Sequence, residues 1–314
     1  MASNNILASL ETVTKSFGDV VAVSEVSFYI PEGSIMGFLG PNGSGKTTSI
    51  RMLLGLTRPD TGKVSLYGQN PFTDLPVKQI TGYVPERDLL YRWITAKDYL
   101  TSFGRYQLPK EEAKKRALTV LDEVGLGEVA NKRINTFSKG MRQRMKVAQS
   151  LVHKPTLIVA DEPFNGLDPV VRANLFDLIR HYRQEYGTTF FISSHILFEV
   201  ERLANNIVLL YKGRTIAQGS PKGIRQMIQE QPHSIQITTK DVKPLIKLLV
   251  DHDAPIRSIE LATVDSHTFE VQTHKPTDFY KLLTNLVVDN NLVVQELRAT
   301  DEGLESLFRT LTVG

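Results

Sequence analysis

A short run near the N-terminus, Gly40-Pro41-Asn42-Gly43-Ser44-Gly45-Lys46-Thr47-Thr48, leaves this chain few folds to choose from. It fits the pattern G-x-x-x-x-G-K-[ST]. The apolar stretch Ile35-Met36-Gly37-Phe38-Leu39 precedes it and reads as a buried strand. Thr47 to Gly55 follows and reads as a helix. Glycines let the backbone bend so that successive N–H groups converge on an anion, and the start of the helix adds its positive end. At average composition the pattern arises at a given position at roughly 3 in 100,000, or on the order of 1% over a chain of this length. With the strand before it and the helix after it, the run reads as a phosphate cradle. Lys46 supplies a point charge for β- and γ-phosphates, and the Thr47 hydroxyl can ligate Mg²⁺.

Further buried strands follow at Leu157–Ala160, Phe190–Ile192 and Ile207–Leu210, separated by segments of helical character. Leu7–Thr14 and Val20–Ile30 carry the short β-branched and aromatic runs of strands. Residues from about 86 to 153 read as mostly helical, with Lys110–Val124 rich in Glu, Ala, Lys and Leu. Apolar strands alternating with helices predict a largely parallel α/β sheet. The strand at 157–160 runs into Asp161-Glu162-Pro163. A carboxylate at a strand end beside a phosphate loop is where Mg²⁺ is held, which suits Asp161. The next carboxylate, Glu162, can take a proton from an attacking water.

In this order of motifs the chain resembles the nucleotide-binding subunit of ATP-binding cassette (ABC) transporters, over about residues 7–220. The resemblance implies an α/β fold, a P-loop NTPase cassette with a RecA-like core, an antiparallel β subdomain and a helical subdomain at about 86–153. It implies ATP and Mg²⁺ as ligands and hydrolysis of ATP coupled to transport. Phe17 falls where the family stacks an aromatic on adenine. Gly40 to Thr48 form the phosphate loop. Phe137-Ser138-Lys139-Gly140-Met141 resembles the signature motif, with Ser138 and Gly140 matching and with Lys139 and Met141 departing from glycine and glutamine. Phe164-Asn165-Gly166-Leu167-Asp168 resembles the loop that crosses the dimer interface, and Ser193-Ser194-His195 the loop of the switch histidine. Glu86, in Tyr83-Val84-Pro85-Glu86, stands where the family usually has glutamine as a Mg²⁺ ligand. A carboxylate can also hold the metal, but it adds negative charge beside Asp161 and Glu162. The expected catalytic residues are therefore Lys46, Glu162 and His195, and the expected metal ligands Thr47, Glu86 and Asp161.

The cassette is expected over residues 1–221, and a second domain over 222–314. The latter reads as strand, helix, two strands, helix, strand and a final helix at Asp301–Leu311, a ferredoxin-like pattern. Its closing segment, Gly303–Thr312, resembles the end of cassettes serving ABC-2-type exporters. A signature motif that completes a partner's site implies a second ABC subunit, most simply a homodimer. Leu89-Leu90-Tyr91-Arg92-Trp93 falls where the family docks a membrane permease. The chain has no cysteine, no signal-peptide pattern and no apolar run near the ~18–20 residues of a membrane span, so the expected location is cytoplasmic, peripheral on the inner face of the cell membrane. Net charge is +3, which gives no electrostatic footprint for nucleic acid, and none is expected as partner. The alternative is a soluble cassette ATPase acting on nucleic acid or the ribosome; the absence of a long heptad-rich coiled coil and of a second cassette speaks against it.

Overall fold

The computed structural model describes residues 5–229, 233–261 and 267–299. The chain divides into two compact units, Met1–Pro221 and Lys222–Gly314. In the first, the strands are β1 (Ile6–Phe17), β2 (Val20–Pro31), β3 (Ile35–Leu39), β4 (Thr61–Leu66), β5 (Thr81–Val84), β6 (Leu157–Ala160), β7 (Thr189–Ser194), β8 (Asn206–Tyr211) and β9 (Arg214–Gly219). An antiparallel sheet has the order β2-β1-β4. A mixed sheet has the order β5-β6-β7-β3-β8-β9, parallel up to β8 and antiparallel at the β9 edge.

Every residue of β3, β6 and β7 is buried. A strand covered on both faces must be apolar or small along its whole length, as Ile-Met-Gly-Phe-Leu and Leu-Ile-Val-Ala are. Phe38 of β3 and Phe191 of β7 stack with Phe28 of β2, with ring centroids 5.1 to 5.2 Å apart. Their burial joins the two sheets in one core. The helices are α1 (Lys46–Leu53), α2 (Pro76–Gln79), α3 (Ala96–Gly104), α4 (Lys110–Glu123), α5 (Lys139–Leu151), α6 (Pro169–Tyr186) and α7 (Leu197–Glu201). Their ends follow local chemistry. Thr95, Ser138 and Asp168 cap α3, α5 and α6 by accepting from the amides of Asp98, Met141 and Val171. Gly187 ends α6 at φ 67°, a conformation that suits glycine.

One sequence expectation changes, and three strands escape the sequence reading. Strands β4, β5 and β9 do not stand out as apolar runs. Thr-Gly-Lys-Val-Ser-Leu and Thr-Gly-Tyr-Val carry glycine and polar residues, and it is pairing with β1 and β6 that makes them strands. The segment Leu89–Trp93 is irregular rather than helical. Its backbone is held from outside: Asn135 N–H donates to Arg92 O at 2.8 Å and Ile134 N–H to Ile94 O at 3.1 Å.

The second unit follows α8 (Pro221–Gln229) with β10 (His233–Thr239), α9 (Val242–Asp251), β11 (Ser258–Leu261), β12 (Thr268–Thr273), α10 (Pro276–Asp289) and β13 (Val294–Ala299). Its antiparallel sheet has the order β11-β12-β10-β13. Ile235, Ile237, Phe269 and Val271 from the sheet pack on Leu245, Leu249, Phe279 and Leu283 from the helices. The expected final helix at 301–311 and the segment 303–312 lie outside the described residues.

Gly37 shows how tightly β3 is covered. A Cβ built there runs into the Val200 side chain of α7. Gly37→Ala is expected to destabilise the first unit by about 1–3 kcal/mol, the usual cost of overpacking. Adding Val200→Ala should recover part of it, read from chemical denaturation. Equal midpoints for wild type and Gly37→Ala would contradict this packing.

Candidate active site

The phosphate loop leaves β3 at Gly40 and enters α1 at Lys46. Gly43 and Gly45 hold φ at 79° and 102°, values that suit a residue without a Cβ. A Cβ on Gly40 would collide with the Leu210 carbonyl, and one on Gly45 would lie 2.6 Å from the Ala22 carbonyl. The loop is thus pressed between β2 and β8. Lys46 is 6% exposed. Its ammonium donates to the carbonyls of Gly40 at 2.6 Å and Pro41 at 3.1 Å, and lies 3.3 Å from Glu162 Oε1.

The carboxylates stand at the end of β6, next to β7, which is next to β3. Thr47 Oγ1 donates to Asp161 Oδ2 at 2.8 Å and Ser193 Oγ to Asp161 Oδ1 at 2.7 Å. The same Ser193 oxygen accepts from Glu162 N–H at 2.9 Å. Glu162 has φ 49°, a left-handed conformation that costs a non-glycine residue of order 1–3 kcal/mol. Its carboxylate meets His195 Nδ1 at 2.9 Å through Oε2, while Oε1 has no hydrogen bond and only the ion pair with Lys46. Asp161 is fully buried and Glu162 is 7% exposed. Lys46 is therefore the cation that offsets buried negative charge.

Asn42, Gly43, Gly45, Lys46, Thr47, Thr48, Glu86 and Glu162 converge on a cavity of about 290 Å³. The buried Ser44 hydroxyl in the loop has no partner. A glycine-lined cradle with an unpartnered hydroxyl and a buried lysine fits a polyphosphate. Among the described residues no group of three or more His, Asp or Glu is placed to hold a metal by itself. Thr47 and Asp161 offer two adjacent oxygens, which fits Mg²⁺, since that ion takes its remaining ligands from phosphate and water.

The structure therefore brings together Lys46, Thr47, Asp161, Glu162 and His195, with Glu86 exposed at the rim. Other expected residues lie outside this cavity. Phe17 is 54% exposed at the end of β1, with the Lys15 ammonium 5.5 Å from its ring centroid. Ser138 and Asp168 are exposed helix caps. Open space surrounds Gly140, where a Cβ would meet only Leu167, at 4.0 Å.

Sequence reasoning missed several supporting residues. Ser193 ties Asp161 to Glu162. Ser194 Oγ donates to Glu199 Oε2 at 2.6 Å, and Arg172 reaches Glu199 Oε1 at 3.2 Å. Burial pushes the Glu199 carboxyl up, against the pull of Ser194 and Arg172. Gln143 Nε2 donates to Pro163 O at 2.6 Å. Lys146, 3% exposed, donates to Pro85 O at 2.7 Å and Glu86 O at 2.9 Å, and burial draws its ammonium down to about 8. The available signal was helical spacing: polar residues at 143 and 146 lie on one face of an amphipathic helix, where a buried face should be apolar.

Comparison with known proteins agrees with this geometry. Residues 23–165 match the family model described as ABC transporter. The linearmycin resistance ATP-binding protein LnrL of Bacillus subtilis (strain 168) is 32% identical over 308 residues, covering 96% of this chain and 97% of that protein. The bacitracin transport ATP-binding protein BcrA of Bacillus licheniformis is 31% identical over 310 residues, 96% of each. Among solved structures, an ATP-binding cassette captured as a dimer in a post-hydrolysis state with ADP and Pi superimposes with a TM-score of 0.63. It is 26% identical and covers 68% of this chain and 98% of that one.

Ser193→Ala removes the bridge between Asp161 and the Glu162 amide. It is expected to destabilise the first unit by about 1–3 kcal/mol, the cost of leaving buried polar groups unpaired. A change below about 0.5 kcal/mol in denaturant unfolding, the scatter of surface substitutions, would show that the bridge carries no weight.

Proposed function

We propose that this chain, which belongs to the ATP-binding proteins of the ABC transporter family, is the subunit that hydrolyses ATP to drive a separate membrane permease, an exporter of the ABC-2 type. The observation that carries the reading is the convergence of Lys46, Thr47 and Glu162 on one glycine-lined cavity, with Asp161 hydrogen-bonded to Thr47 behind it and His195 hydrogen-bonded to Glu162. The near-full-length relatives are named for resistance and transport, which favours a transporter over a nucleic-acid or ribosome ATPase.

In this reading the loop amides of residues 40–48 and Lys46 bind the phosphates. Phe17, projecting at the end of β1, stacks on the adenine. Thr47 and Asp161 hold Mg²⁺, with Glu86 as a further oxygen at the rim. The ion, when bound, neutralises charge on the β- and γ-phosphates. Glu162 accepts a proton from a water whose oxygen bonds to the γ-phosphorus as the bond to the β-bridging oxygen breaks, giving ADP and phosphate. His195 sits beside this carboxylate to orient it and to meet charge on the γ-phosphate. The left-handed backbone at Glu162 fits such a post, since strain is retained where surroundings over-determine it.

Ser138, Gly140 and Asp168 lie outside the cavity of their own chain. They serve the site of a second subunit, with the α5 N-terminus and the Ser138 hydroxyl directed at its γ-phosphate. One chain carries every cassette element, so two copies suffice as a homodimer with two sites.

No helix among the described residues is long and apolar enough to cross a membrane. The permease would hold the chain at the cytoplasmic face. A groove of about 450 Å³ lined by Tyr83, Leu90, Tyr91, Tyr99, Phe103 and Tyr106 is suited to a permease helix. Leu89 and Tyr91, which line it, and Trp93, two residues further along the chain, are 70–76% exposed. Residues 222–314 are read as a ferredoxin-like accessory domain.

Glu162→Gln is expected to lower ATP turnover about 10²–10⁴-fold, the usual contribution of a general base, while leaving ATP bound and the dimer trapped. Wild-type turnover in that variant would remove Glu162 from the role. Lys46→Ala should weaken nucleotide binding, and an unchanged ATP affinity by titration calorimetry would contradict the loop assignment. Affinity capture with tagged Glu162→Gln from native membranes in mild detergent with ATP should retain a polytopic membrane protein. Capture of nucleic acid or ribosomes instead would sink the transporter reading.

A further inference from the structure

Helix α5 grips the two loops that frame Glu162 and Glu86. Gln143 holds the carbonyl of Pro163, next to Glu162. Arg142 Nε donates to Asp88 Oδ2 at 2.6 Å, and Arg92 meets the same oxygen at 3.0 Å. Lys146 donates to Pro85 O and Glu86 O, the carbonyls of two consecutive residues. Residues 142, 143 and 146 are neighbours at helical spacing, so one face of α5 makes all these contacts.

Lys146 is the unusual member. It is a lysine in a helix interior with almost no solvent exposure, and a buried ammonium is costly unless it has a specific partner. The acidic groups whose charge it feels are Asp88, Glu86 and Asp161, with Lys139 opposing. It also lines two cavities at once: the aromatic groove, and a polar cavity of about 350 Å³ shared with Glu86, Asp88, Lys139 and Glu162. Glu86 adds an acidic group to a place already crowded with them, and Lys146 stands directly beneath its peptide.

We propose that Lys146 is a positioning residue for ATP hydrolysis: its ammonium, pinned to the carbonyls of Pro85 and Glu86, fixes the Glu86 carboxylate at the rim of the phosphate cavity and supplies the counter-charge that lets a glutamate stand there. The inference rests on the reading of Glu86 as metal-facing. It assigns to Lys146 two separable effects. Two hydrogen bonds order residues 85–88 with or without nucleotide. The part of the positive charge's effect that acts through residue 86 is present only while that residue is negative, Asp88 and Asp161 being the other acidic groups it faces.

The test is a double-mutant cycle of Lys146→Met and Glu86→Gln with two readouts. The first is hydrogen–deuterium exchange of residues 84–92 in the nucleotide-free chain. Lys146→Met should speed exchange of the amides at 86–88 by about tenfold, the scale of a lost hydrogen bond to a charged group. Unchanged exchange would overturn the pinning. The second is the Mg²⁺ concentration giving half-maximal ATP hydrolysis. Lys146→Met should raise it about tenfold when Glu86 is intact, and by less than about threefold in the Glu86→Gln background, because paired groups are non-additive. The same shift in both backgrounds would mark Lys146 as packing alone and overturn the inference. If Lys146→Met does not fold, Lys146→Gln carries the metal arm with the opposite sign: it keeps a donor and removes a positive charge beside Glu86, so half-maximal Mg²⁺ should fall with Glu86 intact and change less in the Glu86→Gln background. A wild-type chain that hydrolyses ATP while the cycle is additive defeats only this inference. A wild-type chain without hydrolysis defeats the functional reading and the inference together.

Discussion

A parallel sheet must bring the carboxyl ends of its strands to one side, and the candidate site around Lys46 and Glu162 depends on that constraint. Strand β7 lies between β6 and β3, in a register that pairs Ala160 with Ile192 and Leu39 with Ser194. The residues after those positions are Asp161 and Glu162, His195, and the glycine loop from Gly40 to Lys46. They meet because the chain runs out of sheet at the same level on three neighbouring strands. The stacked rings of Phe28, Phe38 and Phe191 hold that level from below.

Collecting those ends creates an electrostatic problem that a few side chains solve. Two adjacent carboxylates are withdrawn from water, and Glu162 also occupies a strained backbone conformation. Ser193 and Thr47 satisfy the oxygens of Asp161, Ser193 takes the Glu162 amide, and Lys46 neutralises the outer carboxylate. Each group has a partner on a different strand or helix. Relaxing Glu162 would break contacts to α1 and β7 together, so the strain persists.

Much of this was legible in the sequence because the covered strands are short apolar runs that end abruptly in polar residues. Ile35–Leu39 into the glycine loop and Leu157–Ala160 into Asp161-Glu162 are such boundaries. Phe190–Ile192 into the serines and His195 is a third. The parts that stayed hidden lack that contrast. Strands β4, β5 and β9 contain glycine and polar residues and become strands by pairing with neighbours distant in sequence. Ser193 and Ser194 look like ordinary turn residues, and only the fold places one on Asp161 and the other on Glu199. Lys146 sits in a helix that reads as amphipathic, where a lysine is expected to face water. Tertiary contact with Pro85 and Glu86 turns it inward.

The supporting residues also link the parts of the cassette that face outward. Asp168 caps α6, Arg172 on the same helix pairs with Glu199, and Glu199 takes the hydroxyl of Ser194 beside His195. The α6 cap and the strand end that carries His195 are thus joined through one buried carboxylate. On the other side, α5 begins at the exposed Ser138 and carries Arg142, Gln143 and Lys146, which hold Asp88, Pro163 and the Pro85–Glu86 carbonyls. The first route ends at His195, which is hydrogen-bonded to Glu162, and the second at Pro163, its neighbour in the chain. In the proposed dimer, the surfaces that meet the second subunit are thus the capped ends of helices whose inner faces hold the residues around Glu162 and His195. The aromatic groove is lined by Lys146 and Pro85 as well. In that reading a partner docked in the groove would sit one side chain, Lys146, from the carbonyls of Pro85 and Glu86.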